Sequence, residues 1–164
     1  MDLGLTITGI VMLAICGLPF ILPSISRKKR EKHLLQSISN MAEKLNCKIT
    51  QHECCNNFAI GIDETKDALF FCKEMNDTKT ETHINLSEIQ SCKVVSTSKS
   101  TENKDNNIKF IDKIELSFLP ITKDNPSILL EFYKAQDNFQ SVPDFLLIEK
   151  WEKIINEKIK LHKN

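Results

Sequence analysis

The sequence predicts an α+β chain in which a membrane-spanning helix and an amphipathic helix precede seven antiparallel strands, with one more helix closing the order. Three observations carry that expectation. A 24-residue run near the start holds no acidic, basic or histidine side chain. After Cys47 the apolar residues change from steps of three and four to alternation, and beyond Pro143 the helical steps return.

The charge-free run is LGLTITGIVMLAICGLPFILPSIS, Leu3 to Ser26. As a helix it reaches about 36 Å, against a hydrocarbon core of about 30 Å. A helix satisfies its own amides, and the hydroxyls of Thr6, Thr8, Ser24 and Ser26 can return to the backbone, so such a run can cross lipid. Pro19 and Pro23 kink or end it near its C-terminal edge. A cleaved signal peptide carries its positive charge ahead of the apolar run, and here the charge follows. Leu13-Ala14-Ile15-Cys16 has the outline of a lipoprotein box, but Ile15 is too large for the position before a lipidated cysteine. Gly4, Gly9 and Gly17 are five and eight apart, so the small-xxx-small seam of helix dimers is missing. Residues 1–26 are expected to be a plain anchor.

Arg27, Lys28, Lys29, Arg30 and Lys32, offset only by Glu31, follow at once with a net charge of +4. Basic residues flanking a span resist translocation. The N-terminus is therefore expected outside and the following domain in the cytoplasm, with the chain a single-pass protein of the plasma (inner) membrane. The same five residues are candidates for attracting anionic lipid, although a stop-transfer signal needs nothing more. From His33 onward there are 17 basic and 20 acidic residues, a net of −3. A mildly acidic domain is a poor partner for nucleic acid, where affinity comes mainly from neutralising phosphates. Six cysteines occur, one of them (Cys16) in the anchor; an odd five elsewhere without regular spacing argues against a disulfide framework and suits a reducing compartment.

Between Glu31 and Leu45 the apolar residues Leu34, Leu35, Ile38, Met41, Ala42 and Leu45 share one helical face. Residues 27–46 are thus a basic flank running into an amphipathic helix, and residues 47–164 are one β-rich domain. Its predicted strands are Lys48–Cys54, Phe58–Asp63, Ala68–Glu74, Glu81–Leu86, Ile89–Thr97, Lys109–Phe118 and Ser127–Lys134. Asn56-Asn57 and Asp63 to Asp67 read as turns, and Pro120 and Pro126 bracket a hairpin around Lys123-Asp124-Asn125. In IELSFL, Ile114, Leu116 and Phe118 alternate with Glu115 and Ser117, the mark of a strand with one wet face. Ser98 to Asn107 carries no apolar side chain and is expected to be a mobile loop. Ser141, Pro143 and Asp144 suit a helix start, and Leu147, Ile148, Trp151, Ile154, Ile155 and Ile159 then form an apolar stripe against a charged face.

Seven strands followed by one amphipathic helix resemble the pleckstrin-homology-like fold. AIGIDETKDALFF followed by INLSEIQSCKVV is similar in rhythm to bacterial members of that superfamily, some of them membrane-anchored. The resemblance covers about Lys48 to Lys160. It implies two antiparallel sheets forming a partly open barrel, with Ile148, Trp151 and Ile155 plugging one end. It also implies a lipid- or protein-binding role. Members that bind phosphoinositides do so through basic residues between the first two strands; the matching segment here, Cys54-Cys55-Asn56-Asn57, has none.

Chemistry-bearing groupings are sparse. Cys47, His52, Cys54 and Cys55 are the one cluster of metal-ligand or thiol type, yet adjacent Cys54 and Cys55 on a strand point to opposite faces, which spoils tetrahedral convergence. His33 and His83 are further candidates to complete such a site. Asp63/Glu64 and Glu102/Asp105 fall in expected turns as ordinary solvated carboxylates. Gly61 is the only glycine outside the anchor, so a glycine-rich phosphate loop is excluded. The expectation is a non-enzymatic, membrane-tethered module without cofactor that recognises a protein through a sheet edge or the Ser98–Asn107 segment. The alternatives are a metal- or thiol-dependent protein and a sensor of anionic lipid.

Overall fold

The computed structural model describes residues 27–55, 57–75, 78–103, 106–122, 124–135 and 145–161. The expected anchor lies outside them, as does the expected start of the last helix at Ser141 to Asp144. Among the described residues no helix is long and apolar enough to cross a membrane.

Residues 27–44 form helix α1, which takes in the basic cluster ahead of the apolar stripe. Its end is set by Asn46, which takes φ 54°, a backbone conformation asparagine tolerates. The Asn46 N–H then donates to the Glu43 carbonyl and the Cys47 N–H to that of Ala42, the paired closure of a Schellman motif.

Seven strands follow: β1 (Gln51–Cys55), β2 (Phe58–Asp63), β3 (Ala68–Met75), β4 (Thr78–Asn85), β5 (Ile89–Asn103), β6 (Asn106–Pro120) and β7 (Ile128–Lys134). A 3-10 turn, Leu86–Glu88, joins β4 to β5, and helix α2 (Phe145–Leu161) comes last. The strands form two antiparallel sheets, β1-β2-β3-β4 and β5-β6-β7. The sheets face each other across one core. Phe58, Ile60, Ile62, Leu69 and Phe71 meet Ile114, Leu116, Phe118, Leu130 and Phe132, and α2 inserts Ile148, Trp151, Ile155 and Ile159. Phe132 bridges the sheets, its ring centroid 4.9 Å from Phe58 and 5.0 Å from Phe71.

The four-stranded sheet has a second covered face. Leu34, Ile38 and Ala42 of α1 pack on Ala59, Ala68, Phe70 and Cys72. Every residue of β2 is buried as a result. Gly61 is what lets the helix approach so closely, because a Cβ there would stand 3.0 Å from Ile38 Cδ1 and from Ile49 Cγ2. Leu45, at the edge of the expected stripe, is exposed past the helix end.

Several strand boundaries differ from the expectation. Residues 48–50 precede β1 rather than belong to it, β4 begins at Thr78, and Leu86 falls in the 3-10 turn. The larger correction concerns Ser98 to Asn107. Residues 98–103 and 106–107 are strand, paired from Ser98↔Ile111 to Asn103↔Asn106 beyond a bulge at Thr97/Ser98. A ladder satisfies amides whatever the side chains are, so a polar ribbon forms where burial alone predicts none.

Candidate functional site

The five basic residues lie on the turns of α1 that precede Leu34. Arg27, Lys28, Lys29, Arg30 and Lys32 are all exposed, and the Arg27 Nε donates to Glu31 at 3.1 Å. They form a cationic stretch of the helix, just before its stripe meets the sheet.

The cysteine–histidine cluster is taken apart by the strand it lies on. Cys54 packs toward α1 while Cys55 packs toward the inter-sheet core. His52 is exposed on β1, and Cys47 lies beyond the end of α1, where its thiol donates to the Leu45 carbonyl. His33 sits apart on α1, with its Nδ1 3.1 Å from Glu74 Oε2, and His83 lies against the Phe70 ring. No group of three or more His, Cys, Asp and Glu among the described residues is arranged to hold a metal ion. Burial, helped by the nearby Glu31 carboxylate, pushes the Cys54 thiol up to about 11. Burial lifts Cys92 to about 12 and raises Cys72 as well. Thiols held protonated at neutral pH are poor nucleophiles and poor ligands.

Asp63 is a further correction: it is not a solvated turn carboxylate. It is 1% exposed and accepts from the Lys48, Thr65 and Lys66 N–H groups and from the Thr65 hydroxyl. Burial alone would raise its pKa, but these four donors hold it at about 2. The carboxylate ties the β2–β3 turn to the chain entering β1, a structural role.

The other charged assembly joins the two sheets. Lys73 of β3 donates to Glu131 of β7 at 2.9 Å, and Lys113 bridges Glu131 at 3.3 Å and Glu115 at 2.7 Å. Charges alternate along this chain and the lysine–glutamate pairs cancel. It reads as a clasp rather than a reaction centre.

A concavity lies elsewhere, at the base of the β6–β7 hairpin. There a cleft of about 520 Å³ opens between the 3-10 turn and the hairpin, lined by Glu88, Ile89, Pro120, Ile121, Pro126 and Ile128 among others. Its walls are fixed by backbone bonds: the Ile121 N–H donates to the Glu88 carbonyl, and the Leu86 N–H to that of Asp67. Asn85 secures the turn by accepting from the Ser87 N–H and hydroxyl. Ile121 on the wall is 55% exposed, and Leu119 and Leu129, on the outer face of the same hairpin, are 47% and 53% exposed. Sequence reasoning located this hairpin but not the site. The available signal was FLPI and ILL, which place apolar residues on both faces of strands whose outer face is otherwise polar.

No protein family, curated protein or solved structure matches the chain.

Proposed function

We propose that the chain is a membrane-tethered, non-enzymatic module of pleckstrin-homology-like architecture. It docks an apolar segment of a protein partner into the cleft beside the β6–β7 hairpin. The tether is the charge-free run Leu3 to Ser26, and the basic residues behind it keep the domain in the cytoplasm. Support for the architecture is the order of four strands, three strands and a C-terminal helix around one core.

One observation carries the binding role. The cleft has a size typical of binding sites, which run to about 300–1,000 Å³, and its lining is largely apolar, with Ile121 half exposed beside Ile89, Pro120, Pro126 and Ile128. Tethering raises the effective concentration of the module toward partners at the same membrane. Cys54 and Cys55 pack toward opposite faces of β1, which favours recognition over the metal- or thiol-dependent alternative.

Site-specific photo-crosslinking in intact cells tests the reading. A photoreactive side chain replacing Ile121 should yield one discrete protein adduct. The same probe replacing Lys93, exposed on β5, should not. Equal adduct patterns at both positions, or none at Ile121, would remove the proposal.

A further inference from the structure

A second cleft, of about 440 Å³, runs between α1 and the edge strand β1, and the residues around it are of a different kind. Lys28 and Lys32 line it from the helix and His52 from the strand, with Glu31 and Glu53 beside them. Both carboxylates are already engaged. Glu31 accepts from Arg27 at 3.1 Å, and Glu53 accepts from Lys150 at 2.9 Å and from the Trp151 indole N–H at 3.2 Å. Lys28, Lys32 and His52 make no ion pair among the described residues. The cleft therefore presents two ammonium groups and an imidazole N–H with their charges and donors uncommitted.

We propose that this cleft binds the phosphate of an anionic phospholipid headgroup, with Lys28, Lys32 and His52 as its donors. The inference rests on the tethered reading and goes beyond it by naming a lipid ligand and its residues. Two lysines one helical turn apart project from the same side of α1, so their amines can converge on one phosphate. On the tethered reading Lys28 and Lys32 follow the expected span by two and six residues, about 3 and 9 Å along a helix, which sets them within and just beyond a headgroup layer of about 5–8 Å. Lys29 and Arg30 belong to the same basic cluster but do not line the cleft. A phosphate held there is distinguished from diffuse attraction to a charged surface by that difference.

The test uses the full chain in nanodiscs of phosphatidylcholine mixed with phosphatidylglycerol, read by native mass spectrometry of the lipids it retains. Phosphatidylglycerol should be enriched on the wild type. Lys28→Gln with Lys32→Gln should cut that enrichment about tenfold, while the charge-matched pair Lys29→Gln with Arg30→Gln should leave it within twofold. Trp151, the only tryptophan, reports by its emission that each variant is folded. His52→Gln, at an exposed strand position, gives a second independent loss. Equal loss in both lysine and control pairs, or no enrichment in the wild type, overturns the proposal. So does equal retention of inorganic phosphate or phosphoserine, which would make the ligand a soluble phosphate or a phosphoprotein. A chain that does not enter the nanodisc overturns the anchor, and this inference with it; a chain that enters without selecting lipid overturns the inference alone.

Discussion

The two sheets are built from similar strands but live in different surroundings. The four-stranded sheet is packed on both faces, by the inter-sheet core on one side and by α1 on the other. The three-stranded sheet has no helix on its outer face: β7 buries Leu130 and Phe132, while Leu129 just before them is half exposed and Glu131 between them is partly exposed. The strand sequences differ accordingly. FAIGID alternates large and small, with Phe58, Ile60 and Ile62 filling the core and Ala59 and Gly61 making room for a helix. IELSFL alternates apolar and polar because no helix covers its other side, where Ser117 is half-buried and Glu115 lies beneath its ion pair with Lys113. The covered sheet thus has little freedom to change, and the open one carries half-exposed aliphatic side chains such as Leu119 and Leu129.

Four changes would break or sharpen this contrast, each read by urea denaturation followed through Trp151 fluorescence. Ile38→Ala empties a fully buried site between α1 and its sheet and should cost about 2–5 kcal/mol. A loss near zero would mean that the helix contributes nothing to the domain. Gly61→Val drives a side chain into Ile38 and Ile49 and should cost about 1–3 kcal/mol. If α1 simply lifts away, stability will hold while amide exchange in residues 34–42 accelerates. Third comes acid. Asp63 has its pKa lowered from 3.8 to about 2, so its contribution is fully present above about pH 4 and disappears as pH falls toward 2. Roughly 1–2 kcal/mol of stability should be lost across that window, and Asp63→Asn should flatten the profile. Smallest of all, Leu129→Ser on the open sheet should shift stability by less than about 0.5 kcal/mol while abolishing any crosslink from position 121.

Much of the fold was readable because alternation and helical spacing are direct consequences of which side is buried. All seven strands and the burial of Ile148, Trp151 and Ile155 follow from that rule. It fails where burial is not what holds the chain. The β5–β6 ribbon is maintained by its ladder, and its polar composition conceals it. Asp63 looks like any turn carboxylate until four donors converge on it, three of them backbone groups that sequence does not distinguish. The clefts were hidden for a related reason. Each is formed by segments far apart in sequence, residues 28–35 with 52–54 in one and 87–89 with 120–128 in the other. The basic cluster itself was plain to see, but not that only two of its five members face a strand.

The helix that roofs the four-stranded sheet also imposes an order on biogenesis. Its stripe, ending at Ala42, leaves the ribosome about 30 residues ahead of Phe70 and Cys72, the side chains it will cover. At 5–20 residues per second that interval is roughly 2–6 s. For those seconds Leu34 and Ile38 have no sheet to rest on, and they are covered only once β3 has been made.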